Sequence, residues 1–232
     1  MKNKTSTGHD GISPRLIKQI GLSLATPLSH VFNLSFVNGQ FPTKMKLAEV
    51  IPIYKSGDPE LTNNYRPISL LPTFSKLLER LMFNRLYNYC KINNILIPEQ
   101  FGFREHLSTE QAILELQDII VNNINHKLWT LGIFLDLSKA FDTLDYSILF
   151  TKLNHYGIRG TALNWFKSYL TARSQYIKIG SSQSNQQNIT CGVPQGSILG
   201  PLLFILYIND ITQSSNLGKF LIFADDTNIL YT

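Results

Sequence analysis

Cysteine is nearly missing from this chain. Cys90 and Cys191 are the only two, far apart, with no CxxC spacing and no histidine beside either. That excludes a disulfide scaffold and a cysteine-based zinc site, and the thiols are expected to be reduced, as in an intracellular protein. The five histidines, His9, His30, His106, His126 and His155, stand singly and form no metal motif. Long hydrophobic runs are missing too. Stretches such as Ile198–Ile208 are too short and too interrupted to cross a bilayer. The opening MKNKTSTGHDG has no apolar core of a signal peptide. The expectation is an intracellular protein, nuclear or cytoplasmic, neither secreted nor bound to a membrane. Charged residues make up only 16% against 44% hydrophobic, which excludes a disordered chain. Gly and Pro are ordinary in number, and no repeat or flexible linker interrupts the sequence. What remains is a globular chain, long enough for one substantial domain or one and a half small ones.

The net charge is +5, and it is unevenly placed. Residues 1–55 hold seven basic groups (Lys2, Lys4, Arg15, Lys18, Lys44, Lys46, Lys55) against two acids, and the remaining chain is balanced at fourteen of each. A localised basic surface suits a polyanion, because neutralised phosphates release counterions. It also suits a solvated face with no ligand.

Local signals place the elements. Ser13-Pro14 reads as N-cap and first helical position. A second helix is predicted over 27–38, with Gly39 as its stop. AEVIPIY, residues 48–54, reads as a strand whose Pro52 argues for a sheet edge. Arg66–Leu70 reads as its partner, in a flap with Lys55 at the tip. Leu77, Leu78, Leu81, Met82, Leu86 and Tyr89 form a helical stripe. Ser108-Thr109-Glu110 opens another helix, with Ile113, Leu116, Ile119 and Ile120 on one face. Trp129–Leu135 is so apolar that it reads as a strand covered on both faces. Helices follow near 147–156 and 161–172. A hairpin of 175–180 and 187–191 comes next, then a helix over 197–211 capped by Ser197. Two strands flank Ala224-Asp225-Asp226 in a tight turn.

Carboxylates carry the chemistry. Asp136 ends the apolar strand GIFLD, and Asp225 and Asp226 lie in a turn between two apolar strands. Two adjacent acids repel and raise each other's pKa. A divalent cation removes that cost, and Mg²⁺ takes oxygen ligands from one or two carboxylates plus water and phosphates. Asp-Asp is equally a common turn dipeptide. Asp136, also at a strand end, tips the balance, since only a sheet can bring it to the pair.

IFLDLSKAFDTLD, TCGVPQGSILGPLLFILYINDI and FADDT, in that order, resemble the palm motifs of non-LTR (LINE-like) retrotransposon reverse transcriptases. GHDGISPRLIK, VIPIYKSGD, NYRPISLLPTFSKLLERL and EQFGFREHLSTEQAI resemble the same family's finger segments. The resemblance runs from about residue 8 to 232. It implies an α+β right hand with a small antiparallel palm sheet packed on helices. Residues 1–128 and 147–195 would be mainly fingers, and 129–146 and 196–232 palm. Its implied activity is RNA-directed DNA polymerisation, joining dNTPs to a DNA primer on an RNA template with two Mg²⁺ ions, or Mn²⁺.

The resemblance also assigns roles. Asp136, Asp225 and Asp226 would be catalytic metal ligands, with the backbone carbonyl of Leu137 completing one sphere. Phe141 would be the steric gate against a 2′-hydroxyl, and would otherwise read as core. Lys55, Arg66, Gln195 and Gly196 would bind the dNTP. Arg104, Gly192 and Pro194 would meet nucleic acid. Asp142 and Asp145 belong to the pattern without a metal role, Asp145 reading as an N-cap. The chain stops at Thr232, where the family continues into the rest of the palm and a thumb, and the accompanying endonuclease is not in this sequence. The alternative is an inactive retrotransposon remnant, acting at most as a nucleic-acid-binding module through its basic first quarter.

Overall fold

The computed structural model describes residues 6–137 and 139–232. These fall into two compact units, the described residues up to 84 with 141–200, and the described residues of 85–140 with 201–232.

The first unit opens with α1 (Pro14–Gln19), capped by Ser13, whose Oγ accepts from Leu16 N at 3.2 Å. α2 (Gly21–Asn38) starts six residues before the predicted Pro27 and ends on Gly39 with φ 62°. Pro27 therefore lies inside the helix. Its missing N–H leaves one carbonyl unpaired, and the exposed face on which it lies lets water take that place.

β1 (Leu47–Tyr54) and β2 (Tyr65–Leu70) form the flap, and α3 (Thr73–Ile92) follows. α5 (Tyr146–His155) is capped by Asp145, which accepts from Ser147 N at 2.8 Å and Ile148 N at 3.0 Å. α6 (Gly160–Leu170), β4 (Arg173–Ile179), β5 (Ser182–Gln183) and β6 (Gln187–Ile189) complete this part. The sheet order is β2-β1-β4-β5, with β6 also on β4.

β1 is thus an interior strand, contrary to the reading of Pro52 as an edge marker. It pairs with β4 in parallel only as far as Val50, and beyond that with β2 alone, Pro52 facing Pro67. Both prolines sit where a ladder donor is not needed on one side. The predicted single hairpin is in fact two-stage, because β5 interrupts the return to β6.

The aromatic core of this unit forms around Trp165 on α6. Its ring stacks on Tyr169 at 5.6 Å and meets Phe41 edge-on at 5.4 Å, while its Nε1 donates to Ser35 Oγ at 3.0 Å. Aromatic pairs of this kind add to the area they bury.

Along α3 the buried stripe is Ser75, Leu78, Glu79, Met82, Leu86 and Cys90, with Leu81 and Tyr89 exposed. Two positions read from the sequence as core lie on the outer face, and the polar residues Thr73, Ser75 and Glu79 lie inside. Burial pushes the Cys90 thiol up to about 12.

In the second unit, α4 (Thr109–Asn125) begins with a full capping box between Ser108 and Gln111. Its packed face carries Ala112, Leu116 and Ile119 against Phe101, Leu221 and Leu230, whereas Ile113 and Ile120 are exposed. β3 (Leu131–Asp136), β7 (Lys219–Phe223) and β8 (Asp226–Tyr231) make an antiparallel sheet of order β3-β8-β7.

β3 corrects the sequence reading outright. It is an edge strand, and every one of its residues is exposed. An unbroken apolar run shows that neither face needs to be polar, and does not say what covers it. α7 (Gly200–Tyr207) is shorter than the predicted 197–211. Ser197 still acts as a cap, its Oγ accepting from Gly200 N at 3.1 Å. Among the described residues no helix is long and apolar enough to cross a membrane.

Candidate active site

The carboxylates lie at the open end of the β3-β8-β7 sheet. Phe223 pairs with Asp226, so β7 and β8 are joined by the two residues Ala224 and Asp225. Asp136, the last residue of β3, pairs directly with Asp226. Directly opposed residues of an antiparallel pair leave the same face, so these two carboxylates stand side by side. Both are exposed, and Asp225 in the turn is half-buried. Among the described residues, no group of three or more metal-ligating side chains is arranged to hold an ion. What the register supplies is a facing pair, which fits the carboxylate count that Mg²⁺ takes when water and phosphates fill its other positions. The carbonyl of Leu137 accepts from Ala140 N at 3.3 Å, closing the turn after β3.

The turn has a support that the sequence reading missed. Ala224 holds φ +59°, a left-handed backbone that costs a non-glycine residue about 1–2 kcal/mol. Gln100, 1% exposed, holds it in place. Its Oε1 accepts from Ala224 N at 3.0 Å and from Gly102 N at 2.8 Å. The flanking backbone runs alongside β7, with Phe101 N donating to Ile222 O at 2.7 Å and Ile222 N to Glu99 O at 2.9 Å. A Cβ at Gly102 would strike Ala224 N, so glycine is required there. Gln100 and Gly102 both fall within EQFGFR, so the motif was visible although its job was not.

In the first unit, the segment GVPQGS docks on residues 141–146. Val193 N donates to Phe141 O and Gly192 N to Leu144 O, both at 2.8 Å, and Tyr146 Oη donates to Gly192 O at 2.9 Å. Gly192 has φ +78°, and a Cβ there would come within 2.5 Å of Asp142 O. Gln195 Nε2 donates to both Asp142 carboxylate oxygens at 3.0 Å, which gives Asp142 the role the sequence left blank. This also fixes the amide, leaving Gln195 Oε1 free of Asp142 as an acceptor. On the other side, Ser69 N of β2 donates to Gln195 O at 2.8 Å, and a Cβ on Gly196 (φ +108°) would meet Ser69 O at 2.9 Å. Gly192, Pro194 and Gln195 line one cavity of about 340 Å³ with Asp142 and Asn188. Phe141 is half-buried beside this segment.

Lys55 and Arg66 are exposed on the flap. Arg66 opposes Ile53 across the flap, and Lys55 directly follows the end of β1. The loop between them is tied down by Lys55 N to Asn64 O at 2.8 Å, Tyr54 Oη to Gly57 O at 2.6 Å and Tyr65 Oη to Pro59 O at 2.8 Å. Arg104, in the second unit, donates from Nη1 to Ile97 O at 2.6 Å, so part of its guanidinium serves the local backbone. Of the basic first quarter, Lys46 does not reach the surface. It is 7% exposed and donates to Thr171 O at 3.2 Å. Burial first, and the charge of Arg173 second, lower its pKa.

Residues 53–232 match the family described as reverse transcriptase (RNA-dependent DNA polymerase). The chain belongs to this family. Its relatives are polymerases of non-LTR retrotransposons. It is 34% identical over 234 residues to a probable RNA-directed DNA polymerase from transposon X-element of Drosophila melanogaster, covering 99% of this chain and 26% of that one. It is 31% identical over 244 residues to the RNA-directed DNA polymerase from mobile element jockey of the same fly, covering 98% and 26%. The chain thus spans about a quarter of the length of these curated relatives. Telomerase from Candida tropicalis shares the fold, with a TM-score of 0.57 at 13% identity, over 90% of this chain and 40% of that one. The α+β fingers-and-palm expectation from the sequence therefore holds for this reverse transcriptase domain.

Proposed function

We propose that this chain carries the nucleotidyl-transfer site of an RNA-directed DNA polymerase, acting on dNTPs, a DNA primer and an RNA template. The observation that carries the reading is the direct pairing of Asp136 with Asp226, with Asp225 next to them in the turn. In this reading Asp136, Asp225 and Asp226 hold Mg²⁺, or Mn²⁺, and the Leu137 carbonyl adds a ligand. When bound, the ions supply Lewis-acid activation of the primer 3′-hydroxyl and neutralise the triphosphate.

The remaining roles fall to other side chains. Lys55 and Arg66 bind the triphosphate, Lys as a point charge and Arg through its planar fork. Phe141 excludes a 2′-hydroxyl. Asp142 holds Gln195 so that its carbonyl oxygen and the Gly196 backbone meet the nucleotide. Gly192 and Pro194 border the template, and Arg104 touches it with its remaining donors. Residues 1–128 and 147–195 serve mainly as fingers, and 129–146 and 196–232 as palm.

Primer extension on an RNA template with dNTPs and Mg²⁺ tests this. Incorporation that is abolished by Asp225→Ala and by chelation supports it. A second reading, a nucleic-acid-binding module without catalysis, is favoured by the basic surplus in residues 1–55. RNA binding with no incorporation, indifferent to Asp225→Ala, would replace the first reading by the second.

A further inference from the structure

Glu79 is a carboxylate where an apolar residue would serve packing better. It lies on the buried stripe of α3, 0% exposed, between Leu78 at 0% and Met82 at 8%. Its Oε2 accepts from Ile198 N at 2.7 Å and from Leu199 N at 3.4 Å, and its Oε1 accepts from Ser75 Oγ at 3.0 Å. Those two amides follow Gln195-Gly196-Ser197 directly and precede the first turn of α7, where helix geometry offers them no acceptor.

The matching cation is Arg173 at the start of β4, also 0% exposed. It donates to Tyr169 O at 3.1 Å and lies over the rings of Tyr169 at 5.1 Å and Phe41 at 5.9 Å. Its Nε and Nη2 have no hydrogen-bond partner among the described residues. Arg173 lies close enough to both Glu79 and the buried cation Lys46 to act on their charges. Burial pushes the Glu79 carboxyl up, while Arg173 and the amide donors pull the other way. A buried pair of this kind seldom stabilises a fold more than apolar residues of equal volume would. Its presence calls for another reason.

We propose that Glu79 is a positioning residue, clamping the backbone at Ile198 and Leu199 so that Gln195 and Gly196 keep their place against β2. This rests on the polymerase reading for its consequence, since these are the residues given to the nucleotide. The clamp explains why the segment is anchored at both ends, by Ser69 and Asp142 before Ser197 and by Glu79 after it.

The test separates clamp from fold. Glu79→Leu with Arg173→Met removes both charges together, so its melting temperature should fall only by what the freed Ile198 and Leu199 amides and Ser75 hydroxyl cost, less than for Glu79→Leu alone. Glu79→Asp keeps the charge and withdraws the carboxylate by one methylene. In both variants amide hydrogen exchange at Ile198 and Leu199 should accelerate about tenfold or more. In primer extension, KM for dNTP should rise by a similar factor, with kcat changed less. Wild-type exchange at these amides in both variants overturns the clamp. Faster exchange with unchanged dNTP KM reduces Glu79 to a structural role and overturns the positioning claim. If the wild-type chain incorporates no nucleotide, the polymerase reading fails, while exchange still decides whether the clamp exists.

Discussion

Replacing Gln100 by leucine should loosen the turn that carries Asp225. In the wild type one buried oxygen accepts from both Ala224 N and Gly102 N. Leucine fills much of the same volume and offers no acceptor, so two buried donors lose their partner. Each such loss costs about 1–3 kcal/mol. Gln100 Nε2 is itself buried without a partner, and removing it returns on the order of 1 kcal/mol. The net loss should be about 1–5 kcal/mol, a sizeable part of the roughly 5–15 kcal/mol by which a domain is stable.

The left-handed Ala224 sharpens the test. Once Gln100 no longer holds it, the strain of about 1–2 kcal/mol is free to relax by opening the turn. Ala224→Gly removes that strain, so it should recover part of the loss in the leucine background and do little in the wild type. Urea unfolding of the two single variants and the double variant measures this coupling, and amide exchange at Gly102 and Ala224 localises it. A loss below about 0.5 kcal/mol, with wild-type exchange at both amides, would refute the argument, because surface substitutions alone reach that size.

Gly192→Ala should destabilise the first unit by at least about 2 kcal/mol, since its φ of +78° and the approach to Asp142 O both oppose a Cβ; a melting temperature equal to wild type would show that the 141–146 segment yields freely. Phe141→Ala should raise ribonucleotide incorporation relative to deoxynucleotide, measured as the ratio of kcat/KM values, and an unchanged ratio removes the gate assignment. Lys55→Ala and Arg66→Ala should each raise dNTP KM several-fold at constant primer–template affinity, as expected for charge-assisted contacts on an exposed flap. Equal dNTP affinity in both would count against the flap's role.

The parts of the fold that were legible in the sequence are those set by short-range chemistry. Ser13-Pro14, Gly39, the Ser108 capping box and the Asp145 cap each satisfy backbone groups within a few residues, so the letters alone locate them. The hairpin around Ala224-Asp225 was legible for the same reason. What the sequence left open depends on partners far along the chain. The parallel pairing of β1 with β4 joins Leu47–Val50 to Ser174–Ile177, and no local pattern announces it. That pairing is also why Pro52 misled: a proline tolerates an interior strand when its own residue has passed beyond the second neighbour. α7 was overextended because apolar residues recur at Ile208 and Ile211, whereas the helix stops at Tyr207, before Asn209 and Asp210.

The candidate site divides along the same line. Asp136, Asp225 and Asp226 stand out because acids at apolar strand ends are unusual, and the register then brings the first and third together. Gln100, Glu79 and Asp142 do not stand out, because each works through a bond that closes only in three dimensions. Gln100 looks like part of a loop, and Glu79 looks like the polar face of α3 until the helix's rotation puts it inward. Yet the buried Gln100 and Glu79 and the half-buried Asp142 hold backbone or side chains at the two places where chemistry is expected. A polar group in a dry interior is costly unless its partners are fixed, so each of them marks backbone that must not move. Searching an apolar stripe for the one residue that should not be there is therefore a direct route to the supports of a site, and a Gln100 or Glu79 replaced without consequence would show that route to be unsound.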